Sequence, residues 1–120
     1  MRRAIRSFGF AYEGFLQAFR SERNIRLFCA GFLAVIIVAA ILGIEPVGWM
    51  LLILAGGIFL SVELLNTALE HAIDVIEEHR PKSDDNGYHA GLKAAKDVAA
   101  AASLMALCMV IAVLIFLLYP

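Results

Sequence analysis

The sequence predicts an all-α membrane protein, in which an N-terminal surface helix precedes three transmembrane helices. Of its 120 residues, 62% are hydrophobic, whereas soluble domains are roughly 45–50% apolar. Uncharged stretches cover 27–44, 47–62 and 98–119, and a transmembrane helix needs about 20 predominantly apolar residues. We therefore expect one domain over 1–120 with spans at 27–44, 47–69 and 98–119, the second taking in Glu63 near its end.

Residues 1–26 have the pattern of an amphipathic helix lying on the membrane. Large apolar side chains recur at three- and four-residue spacing, and arginines lie at both ends of the segment. Such a helix turns its apolar side toward the acyl chains and its arginines toward anionic headgroups. The apolar positions are Ile5, Phe8, Tyr12, Phe15, Leu16 and Phe19.

The distribution of positive charge predicts the orientation of the chain. All ten lysines and arginines lie within 2–26 or 80–96. Because such segments stay on the cytoplasmic side, the N-terminus and the polar 77–97 loop are expected to face the cytoplasm. Cys29 and Cys108 both fall inside spans, so a disulfide framework is not expected.

Four polar residues share one stripe of the second span: Glu63, Asn66, Glu70 and Asp74. At about 100° per residue, Glu70 and Asp74 return to within about 20° of Glu63, and Asn66 lies about 60° away. An ionisable group inside the hydrocarbon costs at least about 2.5 kcal/mol, so it points to function by default. This stripe is the strongest indication of chemistry in the sequence.

The stripe suits a reaction between a cytosolic nucleotide and a lipid. Carboxylates at its cytoplasmic end can hold Mg²⁺, which binds one or two carboxylates together with phosphates. The carboxylate at the lipid end can take a proton from a lipid hydroxyl. Lys96, Arg3 or Arg6 can supply positive charge near the phosphates. The sequence contains neither a P-loop motif nor the glycine-rich loop of protein kinases.

At these residues the chain resembles the small integral-membrane diacylglycerol kinases of prokaryotes, a family that includes the undecaprenol kinases. The resemblance is carried by ELLNTALEHAID at 63–74, FAYEGFLQAFRSERNIR at 10–26 and AKDVAAAA at 95–102. It implies an ATP- and Mg²⁺-dependent lipid kinase of the bacterial inner (plasma) membrane. The implied partners are a lipid alcohol and ATP, without nucleic acid, and the implied assembly is a homotrimeric bundle with sites shared between subunits.

The resemblance also implies roles for individual residues. Glu63 would be the catalytic acid/base, and Asn66 would orient Glu63 or the lipid. Glu22 and Glu70 would bind the metal. The residues implied at the nucleotide or its metal are Arg3, Glu22, Glu70, Asp74, Tyr88, His89, Lys96 and Asp97.

Simpler explanations remain open at several of these positions. Glu22 can pair with Arg26 one turn away, and Asp74, Lys96 and Asp97 can be boundary residues whose charges reach the interface. A different function, a small oligomeric transporter or proton relay, would also use a stripe of acids. An inert packing module would leave the stripe unexplained. Diacylglycerol and undecaprenol both remain open as acceptors, because interchangeable apolar residues form a lipid pocket.

Overall fold

A computed structural model of the chain describes residues 2–79 and 86–119, with side chains at 6–79 and 89–119. All regular structure in these ranges is helical, which confirms the predicted all-α class. Three of the helices are long and apolar enough to cross a membrane, with mean hydropathies of 2.7, 2.0 and 2.9. The helices are α1 (Arg2–Ser21), α2 (Arg23–Leu42), α3 (Pro46–Glu78) and α4 (Asn86–Leu118).

The chain forms two compact units, and the first, Met1–Gly43, contains α1 and α2. The two helices are separated at Glu22, whose backbone is extended with φ −98° and ψ 119°. The Arg26 guanidinium donates to the carbonyls of Phe19 at 3.2 Å and Arg20 at 2.7 Å. Carbonyls in the last turn of a helix lack partners within that helix, so Arg26 stabilises the end of α1. The segment predicted as one helix over 1–26 is therefore two helices in this structure.

Gly43 ends α2 and permits the turn that follows. Its φ of 67° and ψ of 45° are left-handed, and its N–H donates to the Ala39 carbonyl at 3.0 Å. Glycine adopts this conformation without the steric penalty of a Cβ. Pro46 then opens α3, at a position where its missing N–H costs no helical hydrogen bond.

The second unit, Ile44–Pro120, pairs α3 with α4. Each helix has 33 residues, which gives a length of about 50 Å, compared with about 30 Å for the hydrocarbon. The helices run antiparallel, because Gly48 lies beside Leu117 while Asp74 contacts Lys96. Residues 86–97, which the sequence analysis assigned to the 77–97 loop, are part of α4. Hydropathy registers only the part of a helix that lies in lipid, so it does not detect these polar turns.

The packed faces of α3 and α4 contain mostly small and apolar side chains at helical spacing. On α3 the buried residues are Gly48, Leu52, Ala55, Gly56, Phe59, Glu63, Thr67 and Ile73. On α4 they are Ser103, Ala106 and Val110. The opposite faces stay exposed: Leu65 and Met105 are each 70% accessible. Such apolar surface is stable against lipid or against other protein chains.

Candidate functional site

The polar stripe of α3 passes from buried to exposed toward the C-terminal end of the helix. Glu63 is only 6% exposed, Asn66 and Glu70 are half-buried, and the Asp74 side chain is 61% exposed. One helix face therefore presents acids to three different environments. Burial within the chain decreases along the stripe, and the depth of these four residues in the membrane stays a prediction.

Asn66 is bonded to Glu70 and not to Glu63. Its side-chain NH₂ donates to Glu70 Oε1 at 3.2 Å, across one turn of α3. Its carbonyl oxygen, Oδ1, is buried and has no hydrogen-bond partner among the described residues. The Asn66 NH₂ group thus orients the Glu70 carboxylate. The Asn66 Oδ1 oxygen, next to this hydrogen bond, can still accept a hydrogen bond.

A group of charges joins the C-terminal end of α3 to the beginning of α4. Lys96 Nζ donates to Asp74 Oδ1 at 2.5 Å and lies 3.8 Å from Glu77 Oε2. Glu77 Oε1 is 4.0 Å from His89 Nδ1. These side chains are 31–61% exposed, so solvent weakens the attraction, and their main effect is to orient Lys96. Sequence analysis did not single out Glu77, although its spacing of three residues from Asp74 places both on one helix face.

Glu70 has the chemistry that a magnesium ligand requires. Mg²⁺ prefers carboxylate oxygens and takes only one or two from the protein when phosphates supply the others. The Asn66 hydrogen bond fixes one oxygen of the Glu70 carboxylate. Within residues 6–79 and 89–119, no three His, Cys, Asp or Glu side chains come together as a metal site. Glu70 therefore has the donor chemistry of a single magnesium ligand, and the described residues form no three-ligand site around it.

The structure brings together only some of the predicted site residues. Asp74, His89 and Lys96 share the ion-pair group, and Asp97 is exposed on α4. Glu22 lies at the junction of α1 and α2, in the other compact unit. The side chains of Arg3 and Tyr88 lie outside the part of the chain whose side chains are described.

Three helices long and apolar enough to cross a membrane define an integral-membrane protein. Within its α3–α4 pair lie a buried acid, Glu63, and a more exposed polar end that contains Lys96. The sequence model of the family described as prokaryotic diacylglycerol kinase matches residues 9–118. This chain belongs to that family and is a membrane-associated lipid kinase. The reaction class implies ATP as the phosphate donor. Membership of a kinase family favours the kinase over the transporter or proton relay that the sequence left open.

Two relatives carry different acceptors in their names. An undecaprenol kinase from Bacillus subtilis is 38% identical over 104 residues, covering 85% of this chain and 76% of the relative. A diacylglycerol kinase from Synechocystis sp. is 37% identical over 100 residues, covering 83% of this chain and 53% of the relative. The chain therefore spans about half the length of the Synechocystis protein.

Proposed function

We propose that this protein transfers the γ-phosphate of Mg-ATP to the hydroxyl group of undecaprenol or diacylglycerol at the cytoplasmic face of the membrane. The observation that carries the proposal is the gradient of burial along α3, from Glu63 at 6% exposure to Asp74 with a 61% exposed side chain. A lipid hydroxyl reaches the buried end, and a charged nucleotide reaches the exposed end beside Lys96.

Glu63 acts as the general base. As the lipid hydroxyl oxygen bonds to the γ-phosphorus, its O–H bond breaks and the proton passes to the Glu63 carboxylate. The bond between the γ-phosphorus and the bridging oxygen breaks at the same centre, and ADP leaves with that oxygen. The burial of Glu63 between α3 and α4 excludes water, which would otherwise compete with the lipid as acceptor.

Glu70 and Glu22 are the residues that would hold the metal, with Asn66 orienting Glu70 through its amide. When bound, Mg²⁺ would supply charge neutralisation at the nucleotide phosphates. Glu70 is supported by its donor chemistry and its hydrogen bond. Glu22 is supported by the resemblance of the 10–26 segment.

Lys96 neutralises negative charge on the nucleotide, and Asp74 orients the lysine by a direct hydrogen bond. His89 lies next to this group through Glu77. Tyr88, Asp97 and Arg3 complete the nucleotide contacts by their positions in the family pattern. Such positioning and charge neutralisation provide most of the rate enhancement in phosphoryl transfer.

In this proposal the protein lies in the inner (plasma) membrane with its basic segments in the cytoplasm. The confinement of lysine and arginine to 2–26 and 80–96 supports this orientation. In the same arrangement α1 lies along the cytoplasmic surface, and the chain assembles as a homotrimer that covers part of its exposed apolar faces. Undecaprenol and diacylglycerol both stand as acceptors, because the relatives named for them are 38% and 37% identical to this chain.

The test is phosphate transfer from γ-labelled ATP to each lipid by the purified protein in detergent micelles, with and without Mg²⁺. Transfer to at least one lipid is expected, and only with Mg²⁺. Glu63→Gln should lower kcat by about 10²–10⁴-fold and leave the oligomer intact, because it removes the base but little volume. Glu45→Gln, in the connector before α3, is the matched control. Transfer to neither lipid, or a near-normal kcat for Glu63→Gln, would contradict the proposal.

A further inference from the structure

Polar side chains are rare in the buried part of the structure. Where side chains are described, those that are buried and polar or charged are Glu63 at 6% exposure, Thr67 at 4% and Ser103 at 8%. The first two are one turn apart on the packed face of α3, and the third is on the packed face of α4. Buried polar groups in hydrocarbon need hydrogen-bond partners. Two such groups can become partners only if they lie at similar levels along the helix pair.

Two contacts at opposite ends of the α3–α4 pair indicate which residues of α3 lie level with Ser103 along the helix axis. Starting from the contact between Asp74 and Lys96, an equal step of about 10.5 Å along each helix leads to Thr67 and Ser103. The second contact, between Gly48 and Leu117, gives a similar result: a step of about 21 Å along each helix leads to Val62 and Ser103.

Together the two steps bracket Ser103 between the levels of Val62 and Thr67, an interval of about 7.5 Å along the helix axis that contains Glu63. Ser103 Oγ is buried and has no hydrogen-bond partner among the described residues. A serine hydroxyl can donate one hydrogen bond, whereas an ionised carboxylate can only accept. An unpaired donor and a buried acid therefore lie within about 6 Å of the same level along the helix pair.

Asn66, the residue first expected to orient Glu63, does not supply the donor in this structure. Its NH₂ group is bonded to Glu70. A carboxylate in a low-dielectric environment is stabilised in its ionised form by hydrogen-bond donors, and its direction is fixed by them. A donor from α4 would do this for Glu63 without disturbing the Asn66–Glu70 pair.

We propose that Ser103 is a positioning residue for Glu63, and that its hydroxyl donates a hydrogen bond to the Glu63 carboxylate during the reaction. Serine turns on one side-chain torsion and glutamate on three, so the bond can form while both helices stay in place. The hydrogen bond directs the free carboxylate oxygen toward the lipid hydroxyl. This inference rests on the role proposed above for Glu63.

The test compares hydroxyl-bearing and hydroxyl-free variants at position 103. Ser103→Ala should lower kcat about tenfold, since loss of orientation at the reacting atoms costs rate. The KM values for Mg-ATP and for the lipid should not change, because neither is bound by Ser103. Ser103→Thr keeps the hydroxyl and should retain most of kcat. A purely structural role would not produce this separation of kcat from KM.

A displaced hydroxyl is the matched control. Ala99 is half-buried and lies one turn earlier on the same face of α4, so the double variant Ser103→Ala/Ala99→Ser moves the hydroxyl by about 6 Å along the helix axis, toward Lys96 and away from Glu63. It should stay as slow as Ser103→Ala. Ser103→Cys, with similar volume and a weak donor, should give an intermediate kcat and serves if Ser103→Ala does not assemble.

Three results would overturn the inference: a normal kcat for Ser103→Ala, full rescue by the displaced hydroxyl, or an effect confined to the KM for diacylglycerol. The last result would mean that Ser103 contacts a lipid ester and not Glu63. Failure of the proposed function is a separate outcome, because the wild-type protein would then transfer phosphate to neither lipid.

Discussion

At the scale of single residues, burial changes sharply along one helix face. Glu63 is 6% exposed and sits among the apolar and small residues of the α3–α4 interface, whereas Asp74 has a 61% exposed side chain. An acid in the first environment is surrounded by protein, and an acid in the second can meet water and ions. About three turns of α3 separate these two residues.

Lys96 gives a residue-scale prediction that is specific for the nucleotide. Lys96→Ala should raise the KM for Mg-ATP about tenfold, because a cation beside the phosphates is lost, while the KM for the lipid should change little. Steady-state kinetics with each substrate varied in turn measures both constants. Lys93→Ala is the control, since Lys93 is an exposed lysine less than one turn away on α4. Equal effects of the two substitutions would indicate a general charge effect and would contradict a specific contact.

At the scale of helices, the α3–α4 pair depends on close approach at Gly48. A Cβ added at this glycine would lie 2.9 Å from Leu117 Cδ2 and 3.4 Å from Ile44 Cδ1. The nearest neighbour is the end of a flexible side chain, so a single methyl group can be accommodated by a small shift. A branched side chain is larger, and it would press on Leu117 and separate the helices.

Gly48→Val should therefore destabilise the second unit by about 1–3 kcal/mol. Trp49 is the sole tryptophan of the chain, so its fluorescence reports thermal unfolding in detergent from a position next to the substitution. The double variant Gly48→Val/Leu117→Ala should recover part of the loss by making room for the valine. An unchanged unfolding midpoint for Gly48→Val would show that Leu117 does not constrain this position.

The amino-acid sequence predicted the number of apolar helices correctly, but it predicted less accurately the residues at which helices begin and end. Apolar runs located the three spans, and the angular spacing of Glu63, Glu70 and Asp74 located the polar stripe. The break at Glu22 was missed, because apolar residues continue at helical spacing on both sides of it. Ser103 and Glu77 were not identified for another reason: the side chains that they face across the helix pair depend on the register of α3 against α4, which no pattern within one helix determines.

At the scale of the whole molecule, a single chain leaves much of its apolar surface exposed. Ile41 is 78% accessible and Leu65 is 70% accessible, on helices that are each long enough to cross a membrane. Glu70 is one potential metal ligand, and three such groups do not meet within the described part of one chain. Self-association would cover apolar surface and add ligands, which is the expectation for a homotrimer with shared sites.

Shared sites predict complementation between inactive subunits. Glu22→Gln and Glu63→Gln should each abolish transfer alone, yet oligomers co-expressed from both should regain activity if one site takes Glu22 and Glu63 from neighbouring subunits. With equal expression, about a quarter of the sites would receive both intact residues, because each site then draws on two independent subunits. Mixing Glu63→Gln with Glu70→Gln is the control and should restore nothing, since both residues lie on α3 of one chain. Native mass spectrometry of the same samples should give three times the 13.1 kDa chain mass. Intact trimers without regained activity in the first mixture would show that each site lies within a single subunit.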